Sequence, residues 1–214
     1  MGGAAVSGRV ITGPQDVAEG AAWLVGAEPR FAHVLAAVNP LPLRLRPPGF
    51  ETLVDIIISQ QVSLASAAAI RARMADAGLM DQAVVLQASD ADLQAVGLSR
   101  PKVRYVRAVA EAALDYDGLA ALSDAALADT LTAIKGIGPW TAQIYGMFAM
   151  GRADMFAAGD LALQEAARVL FELDARPDAK ALALRAEAWS PWRSVAARAL
   201  FAYYRVVKNR EGLI

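Results

Sequence analysis

LTAIKGIGPWTAQIYGM, residues 131–147, decides how the chain is read. Gly136 and Gly138 carry no Cβ, so the backbone can turn tightly between two helical stretches. Pro139 stands where the second helix would begin, a position at which its missing N–H costs nothing. The product is helix, hairpin, helix, with backbone amides directed outward at the start of the second helix. Those amides and the helix dipole attract an anion, and a DNA phosphate is the natural occupant. Taken in isolation, Gly-x-Gly between helices is better read as a C-cap followed by a new helix.

Outward from the hairpin the texture stays helical. Alanine and leucine dominate, and β-branched runs with strict alternation are scarce, so the fold class is all-α. Helices are expected at about 16–26 and 28–38, and over 50–77 with a break near Gln60–Ser63, where Ser63 is a candidate N-cap. NPLPLRLRPPG, residues 39–49, cannot continue a helix and marks an extended connection. Further helices are predicted near 89–96, 100–115, 123–134, 139–150, 160–172, 178–188 and 191–208. Ser89 and Asp92 stand at capping-box spacing. An internal echo links residues 89–110 to 123–147: each gives a capped helix, a short Gly turn and a second helix.

Composition removes several chemistries. The 214 residues include no cysteine, which excludes disulfides, thiolate nucleophiles and cysteine-held clusters. The single histidine, His33, lies in an apolar run and reads as structural or superficial. Catalysis must therefore rest on carboxylates, hydroxyls, lysines or backbone groups. The net charge of -1 is neutral on partners, but basic residues cluster locally. Arg100, Lys102, Arg104 and Arg107 form one group; Arg193, Arg198, Arg205, Lys208 and Arg210 form another. Each is as well explained by a solvated helix face as by a binding face. No apolar stretch reaches the length of a bilayer span and no signal peptide is read, so a cytoplasmic protein is expected.

KGIGPWTA, residues 135–142, resembles the helix–hairpin–helix of the DNA glycosylase superfamily, in which an aspartate follows the Gly/Pro-rich hairpin. Asp160, in FAAGDLALQEAARVL (156–170), is its counterpart. PPGFETLVDIIISQQVS (47–63) and WSPWRSVAARALF (189–201) resemble further segments of the AlkA-type 3-methyladenine DNA glycosylases. Together the likeness spans roughly residues 28–208. The stretch before Pro47 is too short for the N-terminal α/β domain of AlkA itself, so a short form is expected. The family implies one glycosylase unit of two helical lobes with a DNA-binding cleft. The lobes are expected at about 50–155, with the hairpin at 135–139, and at 1–49 plus 156–214.

The resemblance also assigns roles. Asp160 stabilises the sugar cation that forms as the base departs, and it would equally cap the helix it begins. Bifunctional members carry a nucleophilic lysine where this chain has Trp140, so an abasic site without strand nicking is expected. Trp140 and Phe201 match aromatic residues of the base pocket, suited to a cationic alkylated purine such as 3-methyladenine. The compared form has tryptophan at Phe201 and tyrosine at Ile144. Tyr145 is adjacent to the latter but points roughly 100° around the helix. Gln61 matches the wedge that fills the gap left by a flipped nucleotide. Lys135, Gly136, Ile137 and Gly138 are the expected DNA-backbone contacts. No cofactor is required, with a monovalent cation at the hairpin carbonyls left open. The expected partner is double-stranded DNA containing damaged bases, bound by a monomer.

Three other readings compete. A glycosylase for a neutral lesion, such as uracil, would need hydrogen bonds to the base edge. A non-catalytic DNA-binding module would keep the hairpin but have no use for Asp160. A helical interaction protein would leave the hairpin and the two flanking motifs unexplained.

Overall fold

The structure is a computed structural model in which residues 8–210 are described, Arg210 by its backbone alone. Twelve α-helices occur among these residues: α1 (Pro14–Ala27), α2 (Phe31–Ala37), α3 (Phe50–Ser59), α4 (Leu64–Asp76), α5 (Gln82–Gln87), α6 (Asp90–Ala95), α7 (Arg100–Glu111), α8 (Asp124–Thr132), α9 (Pro139–Phe148), α10 (Leu161–Leu170), α11 (Ala179–Ala186) and α12 (Arg193–Arg210). The all-α expectation holds; the one β-type pairing among the described residues is an isolated bridge between Val10 and Arg152. Every predicted helix forms, with ends displaced by up to four residues. Helix α5 was not foreseen. Ser63, Ser89 and Ser123 all cap as their sequence positions imply, and Ser89 with Asp92 closes a capping box.

The described chain divides into two compact units, one of residues 46–150 and one of 8–45 with 151–210. In the first, α3 lies at the centre against α4, α7 and α9. Phe50 and the run Thr52–Ile58 are all buried, so this helix is enclosed on every side. Its one buried charge, Asp55, is paired with Arg46 and with Arg71 at 3.4 Å. An enclosed carboxylate needs such partners, because desolvation would otherwise favour its neutral form.

In the second unit α12 occupies the middle, packed on α10, α2 and α1. Trp189 is fully buried, stacked on Phe171 at 5.9 Å and edge-on to Phe31 and Phe156. Trp192 is buried too, so both tryptophans serve the core. The unit's two stretches are tied by backbone bonds, Ile11 N–H to Gly151 O at 2.7 Å and Ala153 N–H to Arg9 O at 2.9 Å. Gly151 has φ +64, and a Cβ there would strike the Ile11 carbonyl.

Candidate active site

The hairpin joins α8 to α9 within the first unit. Its Ile137 amide donates to Ile134 O at 3.0 Å, closing the turn. Gly136 takes φ +92, and a Cβ on it would enter the ring of Tyr105 on α7. Gly138 differs: its backbone is extended, and a Cβ there would meet nothing within 4 Å. The expectation that both glycines serve the turn is therefore corrected, since only Gly136 is required by it. Ile137 is also corrected as a DNA contact. Its side chain is 4% exposed and its amide is committed to the turn. The N-cap of α9 is Gly138, which has no side chain to cap the helix. Lys135 is exposed immediately before the turn.

Gln60 and Gln61 behave as opposites. Gln61 is exposed at the α3–α4 turn with φ +55, a left-handed conformation that disfavours a residue bearing Cβ. Gln60 turns inward, and its Nε2 donates to Thr141 Oγ1 at 2.8 Å and to Gly136 O at 3.2 Å. The turn carrying Gln61 is thus fastened to the hairpin. Lys102 reinforces the same place, donating to the terminal carbonyl of Ile58 on α3 at 2.5 Å. Burial pulls the Lys102 ammonium below its ordinary range. The Ile134 and Gly136 carbonyls already accept hydrogen bonds, so a monovalent cation at the hairpin would have to share them.

Trp140 is half-buried on the first turn of α9. Tyr145 is corrected as a base contact: it is 0% exposed, and its hydroxyl accepts from the Gly49 amide at 2.9 Å. Burial raises its phenol above the usual value. It is a core residue that holds the start of α3.

Asp160 lies in the second unit as the N-cap of α10, half-exposed. Its Oδ1 accepts from Ala162 N–H at 2.8 Å and Leu163 N–H at 3.3 Å. The buried Gln164 braces the preceding loop by donating to Ala158 O at 2.9 Å. The carboxylate therefore has a fixed orientation, because rotating it would uncap the helix. Phe201 is half-buried on α12, with the Arg44 guanidinium over its ring at 5.7 Å.

The basic clusters separate on inspection. Arg107 is paired with Asp90 and Lys102 is enclosed, leaving Arg100 and Arg104 exposed. Arg193 is bidentate to Asp154, and Arg198 is fully buried. Arg205 is exposed, whereas the Arg210 side chain lies outside the described residues. His33 sits edge-on to Tyr203 at the surface. Among the described residues no cluster of three or more His or carboxylate side chains is placed to hold a metal. No helix there is long and apolar enough to cross a membrane.

Gln60, Lys102 and Arg44 were not assigned these positions from sequence. Their signal is three-dimensional, since each acts on a residue far along the chain.

The pattern of the HhH-GPD superfamily base excision DNA repair proteins matches residues 54–193, from α3 through the hairpin and Asp160 to the first residue of α12. The chain belongs to this superfamily. A relative described as the putative DNA-3-methyladenine glycosylase YfjP of Bacillus subtilis (strain 168) is 30% identical over 168 residues, covering 72% of this chain. The chain spans only 58% of YfjP's own length. A DNA-3-methyladenine glycosidase from Bacillus halodurans superposes with a TM-score of 0.74 at 31% identity, over 87% of this chain and 89% of that one. The 3-methyladenine DNA glycosylase Mag1 of Schizosaccharomyces pombe, in complex with abasic DNA, gives 0.77 at 26% identity over 86% and 95%.

Proposed function

We propose that this HhH-GPD protein is a monofunctional DNA glycosylase. It hydrolyses the N-glycosidic bond of alkylated purines, 3-methyladenine and with it 7-methylguanine, in double-stranded DNA and leaves an abasic site. The observation that carries this reading is Asp160, whose Oδ1 is held by two backbone amides at the start of α10. A carboxylate oriented in advance needs no reorganisation when charge develops beside it.

The chemistry needs little more. An N-alkylated purine is already cationic, so its bond to C1′ breaks with the electron pair leaving on the base, which becomes neutral. Positive charge passes to the sugar, where Asp160 stabilises it. Water then adds its oxygen to C1′ and gives up a proton, accepted by the carboxylate or solvent. The uncapped start of α9, with Lys135 before it, would take the DNA backbone, and Gln61 the gap left by the flipped base. The names of the Bacillus halodurans and Schizosaccharomyces pombe relatives support the substrate class.

Trp140 supports the absence of a lyase step, because no amine stands at that position of α9 to form a Schiff base. The test is to incubate methylated duplex DNA with the protein and analyse both base and strand. Free 3-methyladenine and heat-labile abasic sites are expected, with no borohydride-trapped adduct. Release of uracil or hypoxanthine but of no methylated base would overturn the substrate class.

A further inference from the structure

The basic cluster on α12 has no task in the chemistry above. Arg193 and Arg198 are taken up by Asp154 and by carbonyls, but Arg205 is exposed. It stands four residues after Phe201, one helical turn on, so the two share a face of α12. Arg44, in the proline-rich connection of the same unit, holds its guanidinium over the Phe201 ring at 5.7 Å. Two arginines from distant parts of the chain thus meet along one helix face.

Arg44 is set there by the backbone, not drawn in by a counter-charge. The fully buried Arg198 donates to Leu43 O at 3.0 Å, fixing the residue before it. Arg44 itself takes φ +54, which a residue bearing Cβ adopts only when its surroundings dictate it. Burial lowers the Arg44 pKa from its ordinary value, and Arg205 lowers it further by repulsion. Neither Arg44 nor Arg205 has a carboxylate partner among the described residues. Like charges held together destabilise the free protein, and an anion bound by both removes that repulsion.

We propose that Arg44 and Arg205 form a binding site for one backbone phosphate of duplex DNA, giving the second unit a DNA contact of its own. This rests on duplex DNA being the partner, as in the proposed function. A guanidinium presents parallel N–H groups that match two phosphate oxygens, and two such forks can grip one diester. A phosphate carries no sequence information, so the pair adds affinity and orientation without selecting the lesion. The bound phosphate also cancels charge beside Phe201, which keeps the site compatible with a cationic base.

The test is the affinity of wild type and variants for abasic and for undamaged duplex DNA across a range of salt. The double variant Arg44→Gln/Arg205→Gln should bind both duplexes roughly five- to tenfold less tightly at about 0.1 M salt. Its plot of log Kd against log salt should be shallower by about one. Arg205→Lys, which keeps the charge, should retain the wild-type slope. Arg205→Gln should melt no lower than wild type, because in the free protein that charge repels Arg44. An unchanged slope in the double variant would overturn the proposal, as would a clear fall in the melting temperature of Arg205→Gln. A further arm adds inorganic phosphate at constant ionic strength. If it raises the melting temperature of wild type and not of the double variant, while their DNA affinities are equal, the pair serves a free anion and the proposal fails. Base release is assayed in parallel. Wild type that binds DNA with the expected slopes and releases no base would contradict the proposed function alone; wild type that binds no duplex DNA would contradict both.

Discussion

At Gly136 the backbone takes φ +92 with Tyr105 filling the space a side chain would need, while Gly138 is extended and faces open space. The two glycines thus predict opposite phenotypes. Gly136→Ala should cost about 1–3 kcal/mol through strain and displacement of the Tyr105 ring. Gly138→Ala should leave stability within about 0.5 kcal/mol of wild type, yet weaken binding to abasic duplex DNA. Urea unfolding measures the first and fluorescence anisotropy the second. A Gly138→Ala protein that binds DNA as well as wild type would show that nothing approaches this part of the hairpin closely. Asp160 was legible from sequence as an N-cap, because Asp before an apolar helical run is a local signal. Tyr145 was not, since only its hydrogen bond to Gly49, distant in sequence, reveals it as core.

Between elements, the α3–α4 turn and the hairpin are joined through Gln60, which contacts Gly136 O and Thr141 Oγ1. Gln60→Ala removes two hydrogen bonds, each of about 0.5–1.5 kcal/mol net. The expected result is modest destabilisation with a clear loss of affinity for duplex DNA, because the hairpin and the α3–α4 turn lose their common register. Unchanged affinity would show that the two bind independently. Helix positions were mostly readable, as Ser63, Ser89 and Ser123 announce their helices by short-range capping. Helix α5 escaped because it has only six residues, among them the β-branched pair Val84 and Val85. Its one local sign was Asp81, which caps the Ala83 and Val84 amides.

At the scale of the whole chain, the second unit draws on residues 8–45 and on the region after 150, tied by backbone bonds of Ile11 and Arg9. Such bonds leave no periodic trace in sequence. The basic clusters show the same limit: Arg107, Arg193 and Arg198 read as surface charge, yet they hold Asp90, Asp154 and buried carbonyls. At this scale the proposed chemistry depends on one carboxylate, Asp160. Asp160→Asn keeps an oxygen able to cap α10, so the fold should persist while the charge is lost. Its central measurement is the single-turnover rate of 3-methyladenine release from methylated duplex DNA, compared between wild type and Asp160→Asn of matched thermal stability. A fall of about a hundredfold or more is predicted; equal rates in the two proteins would contradict the assignment of Asp160 to the chemistry.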